Sequence, residues 1–102
     1  MRYQVDFSPV AQYQLESLYD YIAQASTPSI AARYVHGIID YCESLSTFPL
    51  RGTAREDLRP GLRMTHYKKR VVIAFRVQER RVTIISIFYG GQDYETLLSD
   101  DA

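Results

Sequence analysis

The chain is predicted to be an α+β domain of order β-α-α-β-β-β-α, a helical hairpin packed on a mainly antiparallel sheet with a short C-terminal helix. Three observations predict it. Two Ser/Thr-Pro steps each open a run of apolar residues at helical spacing. Three later segments, Leu62–Tyr67 and residues 71–77 and 82–88, are rich in β-branched and aromatic residues and are separated by short polar turns. A length of 102 residues with ordinary hydrophobic content suits one modest core, so residues 1–102 are expected as a single domain.

Residues 2–7 alternate, with Tyr3, Val5 and Phe7 on one side and Arg2, Gln4 and Asp6 on the other. That is the period of a short, half-buried strand. Ser8-Pro9 then reads as a helix cap: the serine oxygen can accept from a free N–H of the first turn, and proline fits the first helical position. Ala11, Leu15, Leu18, Ile22 and Ala25 form one stripe, widened by Tyr19 and Ala23, which places the first helix over Pro9–Ala25. Thr27-Pro28 repeats the signal, and Ala31, Val35, Ile38, Cys42 and Leu45 form the second stripe. The second helix is expected to end near Thr47, because Pro49 disfavours helical backbone at Phe48. So short a link between the helices makes them an antiparallel hairpin.

Residues 50–60 have no sustained period and are rich in charge, as an exposed loop would be. Along Leu62–Tyr67, Leu62, Met64 and His66 share one face, and Arg63, Thr65 and Tyr67 the other. Segments 71–77 and 82–88 are apolar on both faces, so they are expected to be central strands covered on both sides. Residues 78–81 are short enough for a hairpin turn. The first strand is expected beside these later ones. The helices can cover one sheet face; the other needs its own cover. Gly90-Gly91 breaks the last strand, and residues 93–98, with Tyr94, Leu97 and Leu98 on one side, are expected as the closing helix.

The formal charge is zero, but it is divided. Ten of the twelve Lys and Arg residues lie between Arg51 and Arg81, among only three acids, so this window carries about +7 and the remainder about −7. Such a division sets partners and encounter rates rather than fold. Lys68, Lys69, Arg70, Arg80 and Arg81 fall at turns and read as solvated strand edges. Arg59, Arg63 and Arg76 do not. The single cysteine, Cys42, lies on the apolar side of a helix and reads as a small buried hydrophobe. No Walker A loop or Gly-x-Gly-x-x-Gly is present, and two isolated histidines with one cysteine do not make a zinc site, so no cofactor or metal is expected. No apolar h-region follows the N-terminus and no apolar run approaches the length of a membrane span, so a cytoplasmic location without membrane contact is expected.

Phe48-Pro49-Leu50-Arg51-Gly52, followed by Leu58-Arg59-Pro60-Gly61-Leu62-Arg63, closes the helical hairpin and opens the three-stranded unit. Val72-Ile73-Ala74-Phe75-Arg76-Val77 is an apolar strand ending in an aromatic, Arg and Val. Ile87-Phe88-Tyr89-Gly90-Gly91-Gln92-Asp93 ends the last strand. Together with Ser8-Pro9, Tyr21-Ile22-Ala23 and Ala31-Ala32, this ordered set resembles the ParE branch of the RelE/ParE toxins, which includes plasmid stabilisation proteins. The resemblance covers nearly the whole chain. It implies a toxin of a toxin–antitoxin operon, neutralised by a cognate antitoxin that wraps an extended or helical tail around it. ParE members poison DNA gyrase, whereas RelE members cleave mRNA on the ribosome.

The shared fold does not choose between these targets; side chains must. In RelE proteins an arginine lies just beyond the last strand and a tyrosine in the C-terminal helix. Counted from Gly90, those places hold Gln92 and Leu98. Tyr89, where the family usually has His, would need strong help from its neighbours to act as an acid, since a phenol titrates near 10. Net neutrality also lacks the excess positive charge from which a ribosome-bound nuclease gains affinity. The expectation is therefore a gyrase-binding toxin with no catalytic residues, not an enzyme, and without direct binding to nucleic acid. The alternatives are a ribosome-dependent mRNA interferase and an inactive antitoxin-binding module. Arg59, Arg63, Tyr67, Arg76 and Tyr89 are the expected target- or antitoxin-binding residues. An acidic antitoxin tail is expected against Arg59, Arg63 and Arg76.

Overall fold

The computed structural model describes residues 2–90. The expected C-terminal helix at residues 93–98 lies outside them, as do Gln92 and Leu98. The elements are β1 (Gln4–Phe7), α1 (Pro9–Ala25), α2 (Pro28–Glu43), a 3-10 turn (Ser44–Ser46), β2 (Thr53–Ala54), β3 (Leu62–Tyr67), β4 (Val71–Gln78) and β5 (Arg81–Tyr89). They form one five-stranded sheet of order β1-β5-β4-β3-β2. Every pairing is antiparallel except β1 with β5, which is parallel, with Val5 opposite Val82 and Phe7 opposite Ile84.

Both helix starts are the capped prolines. Ser8 Oγ accepts from Ala11 N–H at 3.0 Å, and Thr27 Oγ1 from Ile30 N–H at 3.1 Å. Such caps contribute about 1 kcal/mol each. Ser8 has a second task. Its hydroxyl donates to Ile85 O at 2.8 Å, and Gln14 Oε1 accepts from Ile87 N–H at 2.6 Å. Those groups lie at a bulge: Ile84 pairs with Phe75 and Ser86 with Ala74, so Ile85 is extra in β5. The start of α1 thus satisfies the backbone that β5 exposes once β1 has ended.

Strand alternation then divides the core. Val71, Ile73, Phe75, Val82, Ile84 and Ile87 face the helices and pack with Leu15, Leu18, Val35, Ile38 and Cys42. On the opposite face Leu62, Met64, Ala74 and Phe88 form a smaller cluster with Leu58, Val72 and Ile85. Leu58, from the loop before β3, supplies part of the second cover that the two-sided apolar strands require.

The structure corrects the sequence reading in three places. β1 begins at Gln4, because Tyr3 N–H donates to Ser46 O instead of entering the sheet ladder. The second helix ends at Glu43, and its last turn tightens to 3-10 geometry. The loop at residues 50–60 contains β2, whose two residues pair with Met64 and Arg63. A two-residue strand is too short to show a period of two.

The β4–β5 hairpin turns through Glu79 (φ 50°) and Arg80 (φ 64°). A two-residue turn with both φ positive suits Asn-Gly, and other side chains are strained in that region. Glu79→Asn is expected to stabilise the protein by about 0.5–1 kcal/mol. A thermal melt should show an upward shift of a few degrees.

Candidate functional site: an arginine face and a tyrosine seam

The five expected binding residues do not share one surface. Arg76 pairs with Leu62 and Thr83, and alternation puts it beside Ala74 on the face away from the helices. Its stem packs on the Arg59-Pro60-Gly61 turn: a Cβ at Gly61 would lie 3.7 Å from Arg76 Cγ and Nε. Arg59 belongs to that turn, which closes with Leu62 N–H donating to Arg59 O at 3.1 Å. Arg76 Nε is buried, and no acceptor among the described residues takes its hydrogen.

Arg63 lies elsewhere. It is opposite Phe75 on the helix face, and its guanidinium donates to Leu50 O (2.6 Å), Gly52 O (3.2 Å) and Arg51 O (3.3 Å). Three backbone carbonyls hold it, so it clamps the segment that leads into β2. Grouping it with Arg59 and Arg76 is not supported by this geometry. Sequence proximity placed them together, whereas one residue along a strand reverses the face.

The acids within the basic window also serve the loop. Asp57 forms a bidentate pair with Arg55, at 3.0 and 2.9 Å, and the Arg55 side chain holds its carboxyl below the usual carboxylate range. Glu56 accepts from Gly61 N–H at 3.1 Å. Both are thereby engaged within the chain. At the other end of the sheet Arg81 pairs with Asp6.

Tyr67 and Tyr89 lie at the ends of β3 and β5 and belong to a line of five rings. Tyr21, Tyr89, Tyr34, Tyr67 and Tyr41 follow one another with centroid separations of 6.1, 6.1, 6.2 and 5.5 Å. Tilted and edge-on arrangements at these distances are favourable. The line fills the seam between the helical hairpin and one end of the sheet. Gly37 is what allows it, since a Cβ there would fall 2.3 Å from the Tyr67 hydroxyl. Tyr41 and Thr65 hydroxyls share a hydrogen bond of 2.8 Å. Burial, then the neighbouring Tyr89 and Tyr67, push the Tyr34 phenol up, with Arg70 opposing. It stays protonated.

Cations cap this seam. Lys68 Nζ lies 5.6 Å from the Tyr67 ring centre and 5.9 Å from that of Tyr34; the Arg70 guanidinium lies 5.9 Å from Tyr89. Arg51 stacks over Tyr41 at 5.1 Å and Phe48 at 5.4 Å. Each such contact contributes about 0.5–1 kcal/mol at exposed sites. Lys68 and Arg70 are exposed, as turn residues should be, but they are also seated on rings. Sequence reasoning missed the line itself. The available signal was Tyr34 and Tyr41 seven residues apart on α2, on the side that meets the strand-end tyrosines.

Among the described residues no nucleophile is paired with a base. Cys42 is fully buried, and burial pushes its thiol up to about 12. His36 is exposed on α2, and His66 is exposed on the opposite sheet face. Among the described residues no cluster of His, Cys, Asp or Glu could hold a metal ion, and no helix is long and apolar enough to cross a membrane.

Comparison with known proteins gives the lineage. No characterised protein with a curated description matches the sequence. The fold is similar to a chain of the chromosomal ParDE toxin–antitoxin system from P. aeruginosa, with a TM-score of 0.76 and 21% identity over 87% of this chain and 97% of that one. It is also similar to a chain of the RelBE2 toxin–antitoxin complex from Mycobacterium tuberculosis, with a TM-score of 0.59 and 20% identity over 87% of this chain and 99% of that one. The model of the ParE toxin of the type II toxin–antitoxin system parDE matches residues 5–94, nearly the whole chain. The chain therefore belongs to the ParE toxin family of type II toxin–antitoxin systems.

Proposed function

We propose that this toxin acts in the cytoplasm by binding DNA gyrase, and that a cognate antitoxin neutralises it by laying an acidic segment against Arg59 and Arg76. The observation that carries the gyrase reading is the pair Gln92 and Leu98, which stand where a ribonuclease of this superfamily would have Arg and Tyr. The buried, high thiol of Cys42 and the separated histidines agree with an action by binding. The observation that carries the antitoxin reading is Arg76, whose buried Nε donor has no acceptor among the described residues. A partner carboxylate would meet the outer N–H groups of this half-buried guanidinium as a charge-assisted hydrogen bond.

Induced expression is expected to arrest growth with a DNA-damage response, and purified toxin is expected to inhibit gyrase supercoiling in vitro. Normal supercoiling at saturating toxin, together with rapid loss of translated mRNA, would overturn the gyrase reading in favour of an mRNA interferase. Absence of any toxicity would leave an antitoxin-binding module.

A further inference from the structure

The link from α2 to β2 carries two large apolar side chains into water. Phe48 is 61% and Leu50 67% exposed. They are the first and third residues of one turn, Phe48-Pro49-Leu50-Arg51, which Arg51 N–H closes on Phe48 O at 3.3 Å. Pro49 takes the second position, where its fixed φ suits such a turn. Isolated exposed apolar residues are ordinary, whereas a pair presented by one tight turn marks an interaction surface.

The turn is held at both ends. On the helix side, Thr47 and Phe48 N–H donate to Ser44 O at 3.1 and 3.3 Å. The Arg51 guanidinium stacks on the Tyr41 and Phe48 rings and donates to Ser44 Oγ at 3.0 Å. On the sheet side, Arg63 collects the carbonyls of Leu50, Arg51 and Gly52, and Gly52 lies against β3 with no room for a Cβ. These contacts act on backbone atoms or on Arg51. None of them uses the Leu50 side chain, so its apolar character serves something outside them. Fixing two anchors before binding also removes the ordering cost that a mobile loop would carry.

The chemistry around the turn selects the partner. Arg55 is paired with Asp57, Arg63 is engaged on backbone carbonyls, and Arg51 is seated on rings and Ser44. A nucleic-acid strand needs cations turned outward to its phosphates, and these three are turned inward. A second copy meeting turn to turn would set Arg51 and Arg63 against themselves, like charge on like charge. A protein surface with an apolar pocket for Phe48 and Leu50, and a carboxylate on its rim for half-buried Arg51, meets both features. The turn lies on the helix side of the sheet, where Arg63 reaches it, whereas Arg76 serves the opposite face. An antitoxin segment on Arg76 therefore leaves the turn to another protein.

We propose that Phe48 and Leu50 are the anchors by which this toxin grips gyrase, entering an apolar pocket rimmed by a carboxylate that meets Arg51. The proposal rests on the gyrase reading above and names the contact surface.

The test uses the full-length toxin, purified gyrase and the cognate antitoxin. Leu50→Ser and the double variant Phe48→Ser with Leu50→Ser would be checked for an unchanged fold by circular dichroism and thermal melting. Phe48 supports the Arg51 stack, so the single Leu50 variant is the one that isolates binding from folding. Each would then be titrated against gyrase and against antitoxin. The expected result is a roughly tenfold or greater rise in the toxin concentration that half-inhibits supercoiling for the double variant, and a smaller rise for Leu50→Ser. Antitoxin affinity should stay at the wild-type value for both. A photo-crosslinking residue at position 50 is expected to capture a gyrase peptide that carries acidic and apolar residues. If wild-type toxin inhibits gyrase and both variants inhibit it equally well, the anchor proposal is overturned and the gyrase reading stands. If wild-type toxin neither binds nor inhibits gyrase, both fall. Capture from position 50 of antitoxin, of a second toxin chain or of a labelled single-stranded oligonucleotide, with no gyrase peptide, would overturn the assignment of this turn to gyrase.

Discussion

Gly52→Ala is expected to destabilise the protein by about 2–4 kcal/mol, with the loss concentrated where the loop meets the sheet. Two terms add. Gly52 has φ 83°, where a residue with a Cβ pays roughly 1–2 kcal/mol. The added methyl would also fall 2.2 Å from Met64 O, which is backbone in β3 and cannot rotate away. Relief requires β2 to lift from β3, since Thr53 is the residue paired with Met64. Lifting β2 also displaces the carbonyls of Leu50, Arg51 and Gly52 from the Arg63 guanidinium. Gly61→Ala separates the terms. Gly61 has a similar φ of 75°, but its nearest neighbour is the Arg76 side chain at an ordinary 3.7 Å, so only the conformational term remains. Urea unfolding should give a much lower midpoint for Gly52→Ala than for Gly61→Ala, at similar slopes. Equal midpoints would show that the backbone relaxes without cost.

Most of the fold was legible because its punctuation is local. Ser8-Pro9 and Thr27-Pro28 cap and start the helices within one or two residues of chain, so both starts were readable to the residue. Strand β3 has clear polar flanks and was readable at both ends; β4 runs one residue further at its C-terminal end and β5 one residue further at each end. What was not legible is pairing. The parallel register of β1 on β5 depends on contacts some 77 residues apart in sequence. The bulge at Ile85 is hidden because Ile84, Ile85 and Ile87 are all apolar, so no break in pattern marks the shift. The site suffered from the same limit. Arg63 and Arg76 look alike as strand arginines, and only the pairing of Arg76 with Leu62 shows that they face opposite ways. Tyr89 and Tyr67 were expected as binding residues singly, whereas cross-element packing joins them through Tyr34 into one line.

That difference between two similar arginines predicts opposite phenotypes. Arg76→Gln is expected to weaken antitoxin binding roughly 10- to 100-fold, because a hydrogen bond to a charged group contributes about 1.5–3 kcal/mol. Folding should change little, since the variant removes a buried donor that no described acceptor uses. Arg63→Gln is expected to do the reverse. It withdraws a guanidinium from three carbonyls, which should cost about 1.5–3 kcal/mol of stability with antitoxin affinity nearly unchanged. Calorimetric titration and denaturant unfolding on the same two variants separate the outcomes. Raising the salt concentration adds a further criterion. Attraction between an acidic segment and Arg76 weakens as salt screens it, whereas the Arg63 clamp donates to neutral backbone carbonyls and should respond far less. If Arg63→Gln lost affinity and Arg76→Gln lost stability, the faces would be assigned the wrong way round. If both lost affinity, the antitoxin would have to contact the β2 segment as well. The division of charge along the chain then takes a more specific form. Asp57 and Glu56 are engaged within the loop, Arg63 is engaged on backbone, and the attraction available to a partner is concentrated at Arg76 on one face and at the exposed Lys68–Arg70 turn on the other.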